Sequence, residues 1–140
     1  MEITMNFGFV NWFPVLGAAF GAFIIGGFWY SPMLFGKAWM NANGFKRESM
    51  KERNIALMFV LAFVAHWLSA SLLAAVLGPN ATAIYGLQVG LLVGAFFTTT
   101  SVAVTYIFEN RGTKLLLING GYYIATYAFM GYMLGFIMQY

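Results

Sequence analysis

The side chains of this chain that could do chemistry are a few uncharged polar groups set inside apolar sequence. His66 is the only histidine and stands near the middle of one apolar stretch. Gln88 and Thr99 lie in the next stretch, and Asn119, Tyr122 and Thr126 lie in the last. In hydrocarbon such groups need hydrogen-bond partners, so these six residues form a candidate polar intramembrane site. The plainer reading of His66 is a neutral ring, satisfied by a serine or a carbonyl, that glues helices together; Ser69 and Ala70 share its helical face. A single imidazole cannot hold a metal ion alone. A proton relay through a membrane normally uses carboxylates. The four acids here are Glu2, Glu48, Glu52 and Glu109, all outside the apolar stretches, and aspartate is absent. Cysteine is absent too, which removes disulfides, thiolate nucleophiles and cysteine metal sites. With no carboxylate pair, metal cluster or activated nucleophile in view, the expectation is a protein that is not an enzyme, with no catalytic residues, no metal and no cofactor.

These residues must be positioned by an all-α integral membrane fold. The 140 residues are 61% hydrophobic and 8% charged, against about 25% charged for soluble domains. A soluble fold of this size could not bury so much apolar surface. Roughly 20 apolar residues cross the hydrocarbon core as a helix. Four stretches meet that length, from about Trp12 to Tyr30, Asn54 to Leu77, Thr82 to Phe108 and Leu115 to Met138. Asn11 can cap the first, with Pro14 in its first turn, and Gly78-Pro79 ends the second. The expected architecture is one domain, residues 1–140, a four-helix bundle with a short interfacial helix between spans one and two.

Charge placement sets the expected orientation. Lys37, Lys46, Arg47, Lys51 and Arg53 lie between spans one and two, and Arg111 and Lys114 between spans three and four. The N-terminal segment, the turn at Gly78–Ala81 and the C-terminus carry no Lys or Arg. The positive-inside rule puts both basic gaps in the cytoplasm and both termini outside. The first residues lack the positive region of a secretory signal, so span one is expected to stay in place. The net charge of +3 is no nucleic-acid signature, because the cations flank spans.

The first basic gap predicts a helix over Pro32–Asn43, capped by Ser31 and stopped at Gly44, with Phe35 and Trp39 on one face. Trp39 would anchor at headgroup depth and Lys37 would reach lipid phosphates, making both candidate headgroup contacts. Lys46–Arg53 is expected to extend span two as a charged helix. Glu109 ends span three, where the helix dipole disfavours an anion. It should pair with Arg111, with Lys114 or with a cation of the first gap, linking the two gaps.

Glycines mark the helix-packing faces. Gly17 and Gly21, Gly86, Gly90 and Gly94, and Gly131 and Gly135 repeat at every fourth residue. In lipid that spacing lets backbones approach closely, within one subunit or between subunits, and three such faces on a thin bundle favour a homo-oligomer. G-x-x-x-G-A-F occurs at both Gly17–Phe23 and Gly90–Phe96, which hints at two hairpins inserted in the same direction. In span four, Asn119, Tyr122, Tyr123 and Thr126 cluster opposite Gly120, Gly121, Ala128, Gly131 and Gly135. In span three Gln88 and Thr99 share a face, and the hydroxyls of Thr98–Ser101 are expected to bond back to their own helix and bend it.

The segment Gly27–Met40, reading GFWYSPMLFGKAWM, and the later YIFENRGTKLLLINGGY at Tyr106–Tyr122 resemble the two blocks of a bacterial membrane-protein family known as domain of unknown function 1761. The resemblance covers nearly the whole chain and implies a four-span protein without assigned activity. The expected function is therefore an oligomeric structural, lipid-binding or partner-binding membrane protein. A small-solute or ion channel or transporter formed by assembly is the alternative, with the lipid bilayer as partner in either case.

Overall fold

The computed structural model describes Met5 and residues 7–138. The N-terminal segment on which the missing secretory signal was read, and the last two residues, lie outside the described residues. All regular structure in the described residues is helical. A 3-10 turn at Phe7–Phe9 precedes α1 (Trp12–Trp29). Two short helices follow, α2 (Gly36–Asn43) and α3 (Arg47–Lys51), and then the long α4 (Ile55–Leu77). The third rod is α5 (Ala83–Leu92), a π-helical segment (Val93–Thr99) and α6 (Thr100–Phe108), and the last is α7 (Thr113–Met138).

The starts of the rods follow from local chemistry. Asn11 accepts from the Phe13 N–H at 3.2 Å, Asn54 from Leu57 at 3.0 Å and Thr82 from Tyr85 at 3.1 Å, each satisfying a donor that the first helical turn leaves unpaired. Pro14 sits in the first turn of α1, where its missing N–H costs nothing. Gly78 ends α4 at φ 76° and Gly44 ends α2 at φ 70°, both in the left-handed region that favours glycine.

Three rods are long and apolar enough to cross a membrane: Trp12–Trp29, Ile55–Leu77 and Ala83–Phe108. The fourth expected span, α7, is 26 residues long, but its Asn119, tyrosines and glycines keep it out of that apolar set. It is nevertheless the centre of the molecule. It packs most extensively against α5, then against α1 and the π segment, and its Leu115, Met130 and Leu134 are fully buried. The contacts also give the directions. Gly21 meets Phe129 while Trp29 meets Ile118, so α1 is antiparallel to α7. His66 meets Tyr122 and Ser69 meets Tyr127, so α4 runs parallel to α7. The rods thus alternate in direction, and both basic gaps fall at one end of the molecule.

Two expectations about the first gap are corrected. The helix begins at Gly36, not Pro32, and Ser31 does not cap it. The Ser31 hydroxyl instead donates to the Phe28 carbonyl at 2.7 Å, closing the end of α1. The chain turns so sharply there that a Cβ on Gly36 would collide with the Tyr30 and Ser31 carbonyls. Lys46–Arg53 is not an extension of α4 either. The separate helix α3 ends before Asn54, because the Asn54 side chain caps a new start.

Candidate functional site

The polar residues of the apolar stretches do not form one site; they fall into two hydrogen-bonded groups and two outliers. The first group joins α4 to α7. His66, the middle residue of α4, places Nδ1 2.7 Å from the Ala62 carbonyl oxygen and Nε2 2.7 Å from the Tyr122 hydroxyl. A carbonyl only accepts, so Nδ1 carries the proton. In the neutral ring Nε2 is then an acceptor, and the Tyr122 phenol donates to it. Thr126, one turn on from Tyr122, is 3% exposed; its hydroxyl neighbours the Tyr122 phenol without a hydrogen bond of good geometry. Ser69, on the His66 face as expected, accepts from the Tyr127 hydroxyl at 3.2 Å.

The second group ties α1 and α6 to α7. Tyr30 donates to Asn119 Oδ1 at 2.7 Å, and Asn119 Nδ2 donates to the Tyr106 hydroxyl at 2.6 Å. Asn119 is 7% exposed, and this pairing satisfies both ends of its amide. Trp29 Nε1 donates to the Ile118 carbonyl at 3.0 Å. The Tyr30 and Tyr122 rings meet edge to face at 5.1 Å, so the two groups touch.

Thr99 and Gln88 are the outliers. Thr99 bonds back to the Gly94 carbonyl at 2.7 Å and reaches Gly120 at 3.3 Å. Thr100 bonds to the Phe96 carbonyl, and Ser101 donates to Phe97 at 2.6 Å, as the row of hydroxyls led us to expect. The π segment between residues 93 and 99 turns less per residue than an α-helix, so the face shared by Gln88 and Thr99 on an ideal helix is lost. Gln88 lies exposed on α5 and joins neither group.

At the basic end, Arg111 Nε meets Glu109 at 2.7 Å and Arg111 Nη1 donates to Asn43 Oδ1 at 3.0 Å. Glu109 therefore takes Arg111 rather than Lys114, and the link between the gaps runs through Asn43, not through a first-gap cation. Arg111 also lies over the Tyr106 ring, 5.8 Å from its centre. A pocket of about 560 Å³ opens between the end of α1, α2 and α3. Lys37, Trp39 and Arg47 line it with Tyr30, Phe45 and Met50. Trp39 is wedged at 5.5 Å from both the Tyr30 and Phe45 rings, which fixes α2 against the end of α1.

The glycine faces are mostly spent inside the chain. Gly86 and Gly131 lie so close that a Cβ on either would strike the other's carbonyl. Gly90 abuts the Tyr127 carbonyl, Gly94 the Ile124 backbone and Gly135 the Thr82 carbonyl. Gly21 faces the Phe129 ring, and Gly17 faces open space. Sequence reading missed Tyr30, Tyr106, Asn43 and Arg47. The signal for Tyr30 and Asn119 was present, since a mid-helix amide demands a partner, but its identity depends on which helices meet.

The family described as Protein of unknown function (DUF1761) matches residues 13–135. No curated protein and no solved structure matches the chain.

Proposed function

This chain belongs to the DUF1761 family, and from that premise we propose a four-span membrane protein that binds rather than catalyses, its basic end holding the headgroup of an anionic lipid. Counting α7 as a span puts both basic gaps on the cytoplasmic face of the cell membrane and both termini outside, as the positive-inside rule favours. The antiparallel and parallel contacts among the rods are those such a topology requires. The observation that carries the binding reading is the 560 Å³ pocket in which Lys37 and Arg47 stand beside the wedged Trp39. Two cations over an aromatic floor at the end of a span suit a phosphate-bearing headgroup, and each basic residue near an anionic surface contributes about 1 kcal/mol. Lys37→Ala with Arg47→Ala should therefore reduce the phosphatidylglycerol that co-purifies with the protein roughly 25-fold or more in apparent affinity, about fivefold per cation. Trp39→Ala should weaken it by loosening α2. Unchanged lipid retention in both variants rejects the reading.

Self-association is a second reading, favoured by one residue. Gln88 is exposed on the flank of a rod apolar enough to span, where an amide needs a partner that a second copy can supply. Gln88→Leu should then lower the subunit number measured by mass in nanodiscs. A path for solutes through such an assembly predicts flux into liposomes that falls in the same variant.

A further inference from the structure

The wall between α1 and α4 holds a second cavity, which shares only Tyr30 with the lining of the basic pocket. It measures about 450 Å³ and is lined by Phe23, Gly27, Tyr30, Phe59, His66 and Tyr122, with Gly26 and Ala62 closing it. Phe59 is 58% exposed and Gly27 is exposed, so the cavity opens sideways on the flank of the bundle, where lipid tails stand in a membrane. Its polar floor lies at the middle of α4, eleven residues from either end, which is about 16 Å along the helix. A phosphate headgroup does not reach that depth, and no Lys, Arg, Asp or Glu lines the cavity. The occupant must be uncharged and dissolved in the hydrocarbon.

The hydrogen bonds at the floor fix its polarity. With the His66 ring neutral, its Nδ1–H donates to the Ala62 carbonyl and the Tyr122 O–H donates to Nε2. The Tyr122 oxygen then has lone pairs and no proton left to offer. It lies against Gly26, where a Cβ would come within 3.2 Å of it, so the glycine leaves room beside this oxygen. The floor is an acceptor that calls for a donor. The rings of Phe23, Phe59 and Tyr30 around it suit a flat ring. We propose that this crevice binds an uncharged, membrane-dissolved phenol or ring alcohol, entering sideways from the lipid and donating its hydroxyl to Tyr122 Oη. Neither cation of the headgroup pocket, Lys37 or Arg47, lines this site.

A matched pair of probes isolates the hydrogen bond. 4-Nonylphenol and 4-nonylanisole differ by one methyl on the oxygen, which removes the O–H donor. With the protein in nanodiscs, and empty nanodiscs as the baseline, nonylphenol should bind saturably and nonylanisole at least tenfold more weakly. Tyr122→Phe should bring the phenol down to the affinity of the anisole. Gly27→Leu supplies a second variant that leaves the His66–Tyr122 pair intact. A Cβ at Gly27 meets nothing within 4 Å, so the new side chain fits the open crevice and should weaken both probes by tenfold or more. Equal binding of the two probes to the unaltered protein, an undiminished preference in Tyr122→Phe, or unchanged binding in Gly27→Leu would each overturn the proposal.

Discussion

At the scale of single residues, Asn119 holds the most connections. Its amide accepts from Tyr30 and donates to Tyr106, so three rods meet through one side chain. Replacing it with leucine strands two phenols in a low-dielectric interior, at about 1–3 kcal/mol for each unsatisfied group. Asn119→Leu should lower the thermal midpoint in detergent by a clear margin, whereas Leu117→Met, at a side chain 71% exposed and outside both networks, should leave it unchanged. Equal midpoints for the two variants would show that the amide network does not hold the rods together. The same logic separates the two phenols that bear on function. Tyr30 is tied down by Asn119, while Tyr122 meets His66. Composition named His66, Asn119, Tyr122 and Thr126 as residues in need of partners. It could not say which partner each would take, because that choice depends on how α1, α4 and α7 rotate about their axes.

At the scale of elements, the glycines decide how close the rods come. Gly86 and Gly131 lie backbone to backbone, as do Gly90 and Tyr127. Contact this close between backbones is a recurrent device of helices packed in lipid. Gly131→Ala should force α5 and α7 apart and cost about 1–3 kcal/mol, the usual range for overpacking. Gly17→Ala meets nothing within 4 Å and should be neutral or slightly stabilising, because alanine is the better helix former. Resistance to unfolding by SDS compares the two, and equal losses would show that the glycine seam is not the tight contact described. Every-fourth-residue spacing made the glycine faces legible in the sequence. Whether those faces met within one copy or between copies was not legible, since both arrangements use the same spacing. The π segment was equally hidden. Thr98–Ser101 announced hydroxyls that bond back to the helix, but the widened turn arises where Thr99 reaches the Gly94 carbonyl five residues back while Gly94 packs on α7. The start of α2 and the break between α3 and α4 were hidden for a related reason. The sharp turn at Gly36 and the cap at Asn54 were both present as residue types, but Ser31-Pro32 and the run of charges suggested longer helices.

At the scale of the whole molecule, the proposed orientation rests on the alternating rods and on the gathering of both basic gaps at one end. α7 carries that orientation, because it is the most buried rod and the least apolar of the four. Its polar side chains are paired with Tyr30, His66 and Tyr106, the pairing that the proposed crossing of hydrocarbon by a helix with an asparagine and several tyrosines requires. The absence of cysteine allows a direct reading of this arrangement. Single cysteines at Ser49, at Asn80, at Gly112 and appended after Tyr140 would be labelled with a membrane-impermeant maleimide in intact cells and again after permeabilisation. The account predicts labelling of the Asn80 and C-terminal positions in intact cells, and of Ser49 and Gly112 only once the membrane is opened. Labelling of Gly112 and the C-terminal cysteine under the same condition would mean that α7 does not cross, and would contradict the account.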